Sequence, residues 1–149
     1  MTKVMSMLLI MEALDNKQIS LNDEVTISQN AADMGGSQLF LQPNQTAKVE
    51  DLLKGIAVAS GNDAVVAMAE KIAGSEEKFV DMMNEKLEEM GLSETTHFTN
   101  CVGLYDEDHY STPYDMAMII KAATDDEWVR EVMSVSYTHL RAHETAANL

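Results

Sequence analysis

"LLKGIAVASGNDAVVAMAEKIAGSEEKFVDMMNEKLEEMGL", residues 52–92, reads as three helical stretches parted by two short breaks. Starting three residues earlier, Val49, Leu52, Leu53, Ile56 and Ala57 recur at the spacing of one helical face, which predicts a helix from Val49 to Ala59. A second apolar helix runs from about Asp63 to Ala73. Gly74-Ser75 separates it from an amphipathic third, Glu76 to Met90, which Gly91 stops by its freedom to turn left-handed. The break Ser60-Gly61-Asn62 thus lies between two apolar helices, where packing on both sides can present a hydroxyl and an amide rigidly. A purely structural alternative stands beside this: Gly61 stops one helix, and Asn62 or Asp63 caps the next.

Towards the N-terminus, "MTKVMSMLLIMEALD" has almost no polar face, so this helix seeks burial on every side. Only Met1 and Thr2 precede Lys3, which leaves no conventional capping residue ahead of the helix. The first residues are expected either to fray or to follow a segment that lies before Met1. Between this helix and Val49, polar turn material leads to a short β-branched stretch, Val25 to Ile27. Gly35-Gly36 and Pro43-Asn44 then bracket Leu39, Phe40 and Leu41, as in a small hairpin or a looped excursion beside the helices. Downstream of Gly91 comes a long irregular connection. Thr112-Pro113-Tyr114-Asp115 ends it as a helix start, with Thr112 as cap, Pro113 in the first turn and Asp115 reaching back. Met116, Met118, Ile119 and Ile120 are expected to point inward.

The totals bound the function. A chain of 149 residues is one domain with a modest core. Its net charge of −15 repels nucleic acid phosphates and anionic lipid, so neither is expected as a partner. The apolar run from Val4 to Leu14 is too short to span a bilayer, and no signal peptide is visible. Cys101, the single cysteine, permits no internal disulfide and reads as a small buried or turn residue. The 12 methionines fall mostly at helical spacing and read as adaptable core filler.

At the C-terminus, "VSYTHLRAHET" (Val135–Thr145) places His139 and His143 four apart, a spacing that could hold zinc on one helical face. The same stretch is what one frame of a common transposase sequencing adapter encodes. Residues 1–133 are therefore expected to be native and 134–149 a read-through tail, with no metal site. Asp106, Glu107 and Asp108 lack the ligand alternation and central glycine of a calcium loop and read as a solvated turn.

The chemistry that remains is carried by short motifs. Met1-Thr2-Lys3 would be the last three residues of an S-x-x-K tetrad whose serine lies one position before Met1. Residues three apart on a helix share a face, so the lysine amine can take the serine proton. A neutral lysine is required, and lowering its pKa from about 10.4 to about 7 costs roughly 4 to 5 kcal/mol, which desolvation can supply. The companion element, S-x-N, occurs three times: Ser20-Leu21-Asn22, Ser28-Gln29-Asn30 and Ser60-Gly61-Asn62. Only the last lies between apolar helices.

These motifs, with "MGGSQLFLQP" (34–43), the 52–92 stretch and "HYSTPYDMAMI" (109–119) in the same order, resemble the D-alanyl-D-alanine carboxypeptidases among the low-molecular-mass penicillin-binding proteins, the S11 serine peptidases. The resemblance implies a β-lactamase/transpeptidase-like α/β fold, of which this chain is a mainly α fragment: a helical lobe with short strands and most of the antiparallel sheet missing. It implies removal of the terminal D-Ala from peptidoglycan stem peptides ending in D-Ala-D-Ala, through an acyl-serine, with no cofactor. It further implies Lys3 as base, Ser60 as proton relay and Asn62 as the residue that orients substrate and Lys3, with Ser60 and Asn62 binding substrate. β-Lactam antibiotics are the implied ligands of the intact parent, and the cell envelope outside the cytoplasmic membrane its place. Both the nucleophilic serine and the downstream K-T-G motif are absent from the sequence, so the chain as given is expected to be inactive. The first helix is expected to be short of cover. A non-catalytic reading, a small acidic helical binding module, is the alternative.

Overall fold

The computed structural model of the chain describes residues 1–127, 129 and 130. In order, the elements are α1 (Thr2–Asp15), β1 (Glu24–Thr26), α2 (Gln29–Ala32), β2 (Thr46–Lys48), α3 (Val49–Ala59), α4 (Asn62–Ala73), α5 (Glu76–Met90) and α6 (Pro113–Thr124). The expected 133/134 boundary and the His139/His143 pair lie outside the described residues.

α4 is the hub. Every residue from Asn62 to Ala69 is buried, and the helix packs against α1, α2, α3, α5 and β1. Its alanines and valines let five neighbours approach closely, whereas a long polar side chain between Ala64 and Ala69 would meet one of them. Around it, α3 turns Val49, Leu52, Leu53 and Ile56 inward, and α5 turns Phe79, Met83 and Leu87 inward at a strict four-residue spacing. Met5, Met68 and Met83 are fully buried among branched side chains, the filler role their spacing suggests.

α1 is covered where the sequence leaves it in need of cover. Nine of its 14 residues are buried, and it packs against α4, α5 and α6. The expected shortage of cover is therefore corrected, because three helices of the same lobe enclose it. Its first turn is helical without a side-chain cap. Ser6 Oγ donates to the Cys101 carbonyl at 2.6 Å, fixing the long connection along the helix. The Cys101 thiol is buried, and burial together with Glu76 pushes its pKa well above the ordinary range, leaving an inert structural residue.

β1 and β2 form a two-stranded antiparallel sheet with Val25 opposite Ala47. The strand expected at Val25–Ile27 is shifted by one residue. The segment between the strands is a looped excursion rather than a hairpin, closed by Ile27 N donating to Gln45 O and Asn44 N to Ile27 O, both at 2.8 Å. At α6, Thr112 Oγ accepts from Asp115 N at 3.1 Å, as a cap should. The Asp115 carboxylate reaches elsewhere, to the Thr95 and Thr96 hydroxyls at 2.5 and 2.6 Å, and bolts the helix start to the chain leaving α5. Met116, Ile119 and Ala123 point inward, while Met118 and Ile120 are half-buried on the flanks.

Candidate active site

The left-handed residue between α3 and α4 is Ser60, not Gly61. Ser60 has φ 55° and ψ 34°, and Gly61 has φ −62°. A left-handed L-residue costs about 1–2 kcal/mol, and strain of this kind gathers where a side chain must be aimed. Gly61 is required by space instead. A Cβ there would sit 2.9 Å from Leu39 Cγ and 3.0 Å from Asp63 Oδ1. At Gly55, one helix earlier, it would meet Leu39 Cδ1 at 2.1 Å. The two glycines thus form a slot that the Leu39 side chain fills.

Lys3 arrives from the first turn of α1. Its Nζ donates to the Ser60 carbonyl at 2.6 Å and to Ser60 Oγ at 2.8 Å, across 57 positions of sequence. Left-handed backbone at Ser60 is what turns carbonyl and hydroxyl to the same side, so the strained residue and the bidentate contact are one feature. With its oxygen accepting from Lys3, the Ser60 hydroxyl keeps its own proton free to donate outward. Partial burial lowers the Lys3 pKa below the ordinary lysine value, against an opposing influence from Cys101. The shift is in the direction a general base needs. Of the other S-x-N triplets, Ser28 caps α2 by accepting from Ala31 N, and Ser20 N donates to Asp23.

Asn62 is held but does not bond Lys3 among the described residues. This corrects the expectation that it orients Lys3 through a hydrogen bond, because both Lys3 contacts go to Ser60. Asn62 N donates to Ser37 O at 2.7 Å and Nδ2 to Gly35 O at 2.7 Å. Those bonds fix which end of the amide faces where, and leave Oδ1 buried without a partner. An unpaired buried acceptor costs about 1–3 kcal/mol, which the two bonds to the 35–37 segment help to offset. Gly36, at φ 82°, makes the approach possible, since a Cβ there would fall 2.8 Å from Asn62 Nδ2.

Asp63 completes the arrangement and escapes motif reading. Its buried carboxylate accepts from Leu39 N at 2.9 Å, Leu41 N at 3.1 Å and Ala64 N at 2.9 Å. The first two bonds bracket Phe40, which takes φ 59° and stands 77% exposed. The 35–41 loop is therefore stapled to the first turn of α4 by the residues that follow Ser60. A carboxylate directly after S-x-N, at the start of an apolar helix, was the available sequence signal. By contrast, Asp106 to Asp108 form an exposed turn in which Asp106 Oδ1 accepts from Asp108 N at 2.9 Å.

The sequence model described as D-alanyl-D-alanine carboxypeptidase, Peptidase_S11, matches residues 1–148. D-alanyl-D-alanine carboxypeptidase DacF of Bacillus subtilis is 52% identical over 141 residues, which is 95% of this chain and 36% of the relative. DacC of Escherichia coli is 39% identical over 132 residues, 85% of this chain and 33% of the relative. Among solved structures, the D-alanyl-D-alanine carboxypeptidase DacD of Francisella tularensis superposes with a TM-score of 0.81 at 32% identity, over 89% of this chain and 32% of that one. Penicillin-binding protein 5 of Haemophilus influenzae gives 0.76 at 41% identity, over 81% and 36%. The chain thus spans about a third of the length of these relatives.

Proposed function

The chain belongs to the D-alanyl-D-alanine carboxypeptidase family S11, and from that premise we propose that it is the base-bearing helical lobe of a serine-type enzyme that removes the terminal D-Ala from peptidoglycan stem peptides. The observation that carries this reading is the double contact of the Lys3 amine with Ser60. In the proposed mechanism a serine one residue before Met1 is the nucleophile. Lys3, its pKa lowered by desolvation, takes the serine hydroxyl proton from its neutral form as the serine oxygen bonds the scissile carbonyl carbon. The resulting Lys3 ammonium returns a proton to Ser60 Oγ, which hands its own to the departing D-Ala amine as the C–N bond breaks. Water then hydrolyses the acyl-serine. Ser60 and Asn62 also bind substrate.

With neither a nucleophilic serine before Lys3 nor K-T-G in the sequence, the chain as given is inactive on this account. Among the described residues no helix is long and apolar enough to cross a membrane. The place proposed for the parent enzyme is the bacterial cell envelope, and β-lactams are its proposed inhibitors. Residues 134–149 are proposed to be foreign to the gene, which resequencing of the source locus tests. A fluorescent penicillin should mark the longer protein read from that locus, at a serine directly before Met1, and leave this chain unmarked. A codon other than serine at that position, or labelling of the chain as given, overturns the account of the nucleophile.

A further inference from the structure

Thr2, the residue before Lys3, is gripped from two sides. Its Oγ1 lies 2.8 Å from His109 Nε2, across 107 positions, and a Cβ on Gly103 would fall 3.1 Å from the same oxygen. The imidazole is itself fixed. Thr99 N–H can only donate, and it points at His109 Nδ1 from 3.1 Å, so Nδ1 carries the lone pair. A neutral ring then bears its proton on Nε2 and donates it to Thr2 Oγ1. Phe98 packs against the ring with centroids 5.5 Å apart. The His97–Tyr110 bridge closes the neck of the loop. Thr2 is thereby held by the 97–110 loop just before Lys3, one turn ahead of the Ser6 bond to the Cys101 carbonyl of the same loop.

We propose that His109 is a positioning residue, a neutral imidazole that fixes the first turn of α1 and releases it when the ring is protonated. Protonation puts a second N–H on Nδ1, facing the Thr99 N–H; the two donors cannot share the space, and the ring must turn from that amide to reach the Thr99 hydroxyl, 3.3 Å from Nδ1. Around the ring, the same loop supplies Asp106, which favours the charged form, and His97, which opposes it. From α1 the facing group is the uncharged Thr2, since Lys3 turns to Ser60. Burial outweighs Asp106 and holds the His109 pKa below the ordinary histidine value. The role in catalysis rests on the hydrolase reading above, whereas the pinning of the helix does not.

The test uses the whole chain. Long-range ¹H–¹⁵N NMR at pH 7.5 should show His109 as the Nε2–H tautomer, and an Nδ1–H tautomer overturns the proposal. The helical ¹³Cα shifts of Thr2 and Lys3 should collapse as pH falls, in step with His109 titration. His109→Gln, which retains a donor near the Nε2 position, should keep those shifts and lose the pH step. His109→Phe and Thr2→Val should lack them at every pH. Retention of the shifts in both variants, or a collapse that does not track His109, refutes the pinning. In the longer, serine-bearing protein, His109→Phe should slow penicillin acylation about tenfold or more, with the rate restored in His109→Gln. An unchanged rate in His109→Phe overturns the positioning role. Absence of acylation in the unsubstituted longer protein condemns the hydrolase reading instead, and the NMR result still decides the pinning.

Discussion

Replacing Asp63 with alanine removes one carboxylate from three backbone N–H groups at once, those of Leu39, Leu41 and Ala64. Hydrogen bonds to a charged acceptor are worth about 1.5–3 kcal/mol each, so a loop that stayed in place would forfeit roughly 4 kcal/mol or more. It has an escape, because the 35–41 segment can lift away and rehydrate its amides. What it then gives up is Leu39 in its glycine slot, a half-buried side chain worth about 1–2 kcal/mol, and the two bonds to Asn62. The cheaper route sets the observed cost at about 3 kcal/mol, or roughly 6–12 °C in Tm for a chain of this size. Calorimetry of Asp63→Ala gives the magnitude, and amide exchange shows the route, since Leu39 and Leu41 should lose protection while the α5 core keeps it. Asp63→Asn, which keeps one acceptor oxygen, should fall about midway. A Tm drop of less than about 2 °C with Leu39 and Leu41 still protected would refute the stapling and, with it, the explanation of how the Asn62 amide is oriented.

Gly55→Ala puts a methyl group 2.1 Å from Leu39 Cδ1 and should destabilise by about 1–3 kcal/mol, most of it recovered in Gly55→Ala/Leu39→Ala; simple additivity in chemical denaturation would contradict the slot. Ser60→Gly relieves the left-handed strain and should raise stability by about 1 kcal/mol while removing the hydroxyl that the relay needs, so in the longer protein stability and the rate of acylation by a D-Ala-D-Ala peptide should move in opposite directions. Asp115 has its pKa lowered, first by Thr95 and then by Thr96. The sign is that of any depressed carboxylate: the stabilisation is full above the unfolded value, about 3.9, and is lost as pH falls through the folded value. Asp115→Asn should flatten that acid limb in a pH series of denaturation midpoints, and an unchanged limb would show that other groups cause it.

What could be read from the sequence was what neighbours in sequence decide. The apolar period of Val49 to Ile56 and of Phe79 to Leu87 fixed two helices, and Thr112-Pro113 fixed the start of α6. The choice of Ser60-Gly61-Asn62 over two other triplets also needed only local context, two apolar helices meeting at a break. Misreadings arose where the deciding contact is remote. Glycine was the natural choice for the left-handed position, yet Leu39 claims the space at Gly61 and Lys3 holds the carbonyl at Ser60, so the strain falls on serine. Asn62 faces Gly35, which lies 27 positions away, and no spacing rule connects them. Asp115 looked like half of a capping box, but two threonine hydroxyls about twenty positions upstream offer it stronger donors than a helix-end amide. β2 was invisible because Thr46–Lys48 is polar and pairs only along one edge. The same remoteness hid the grip of His109 on Thr2.

The central claim is that a desolvated Lys3 amine sits on Ser60, and titration of that amine in the chain as given tests it most directly. Following Lys3 ¹³Cε against pH should give a midpoint below the ordinary lysine value, moved by Ser60→Ala because one of the two acceptors is gone. A Lys3 that titrates near 10.5 and does not respond to Ser60→Ala would contradict the account.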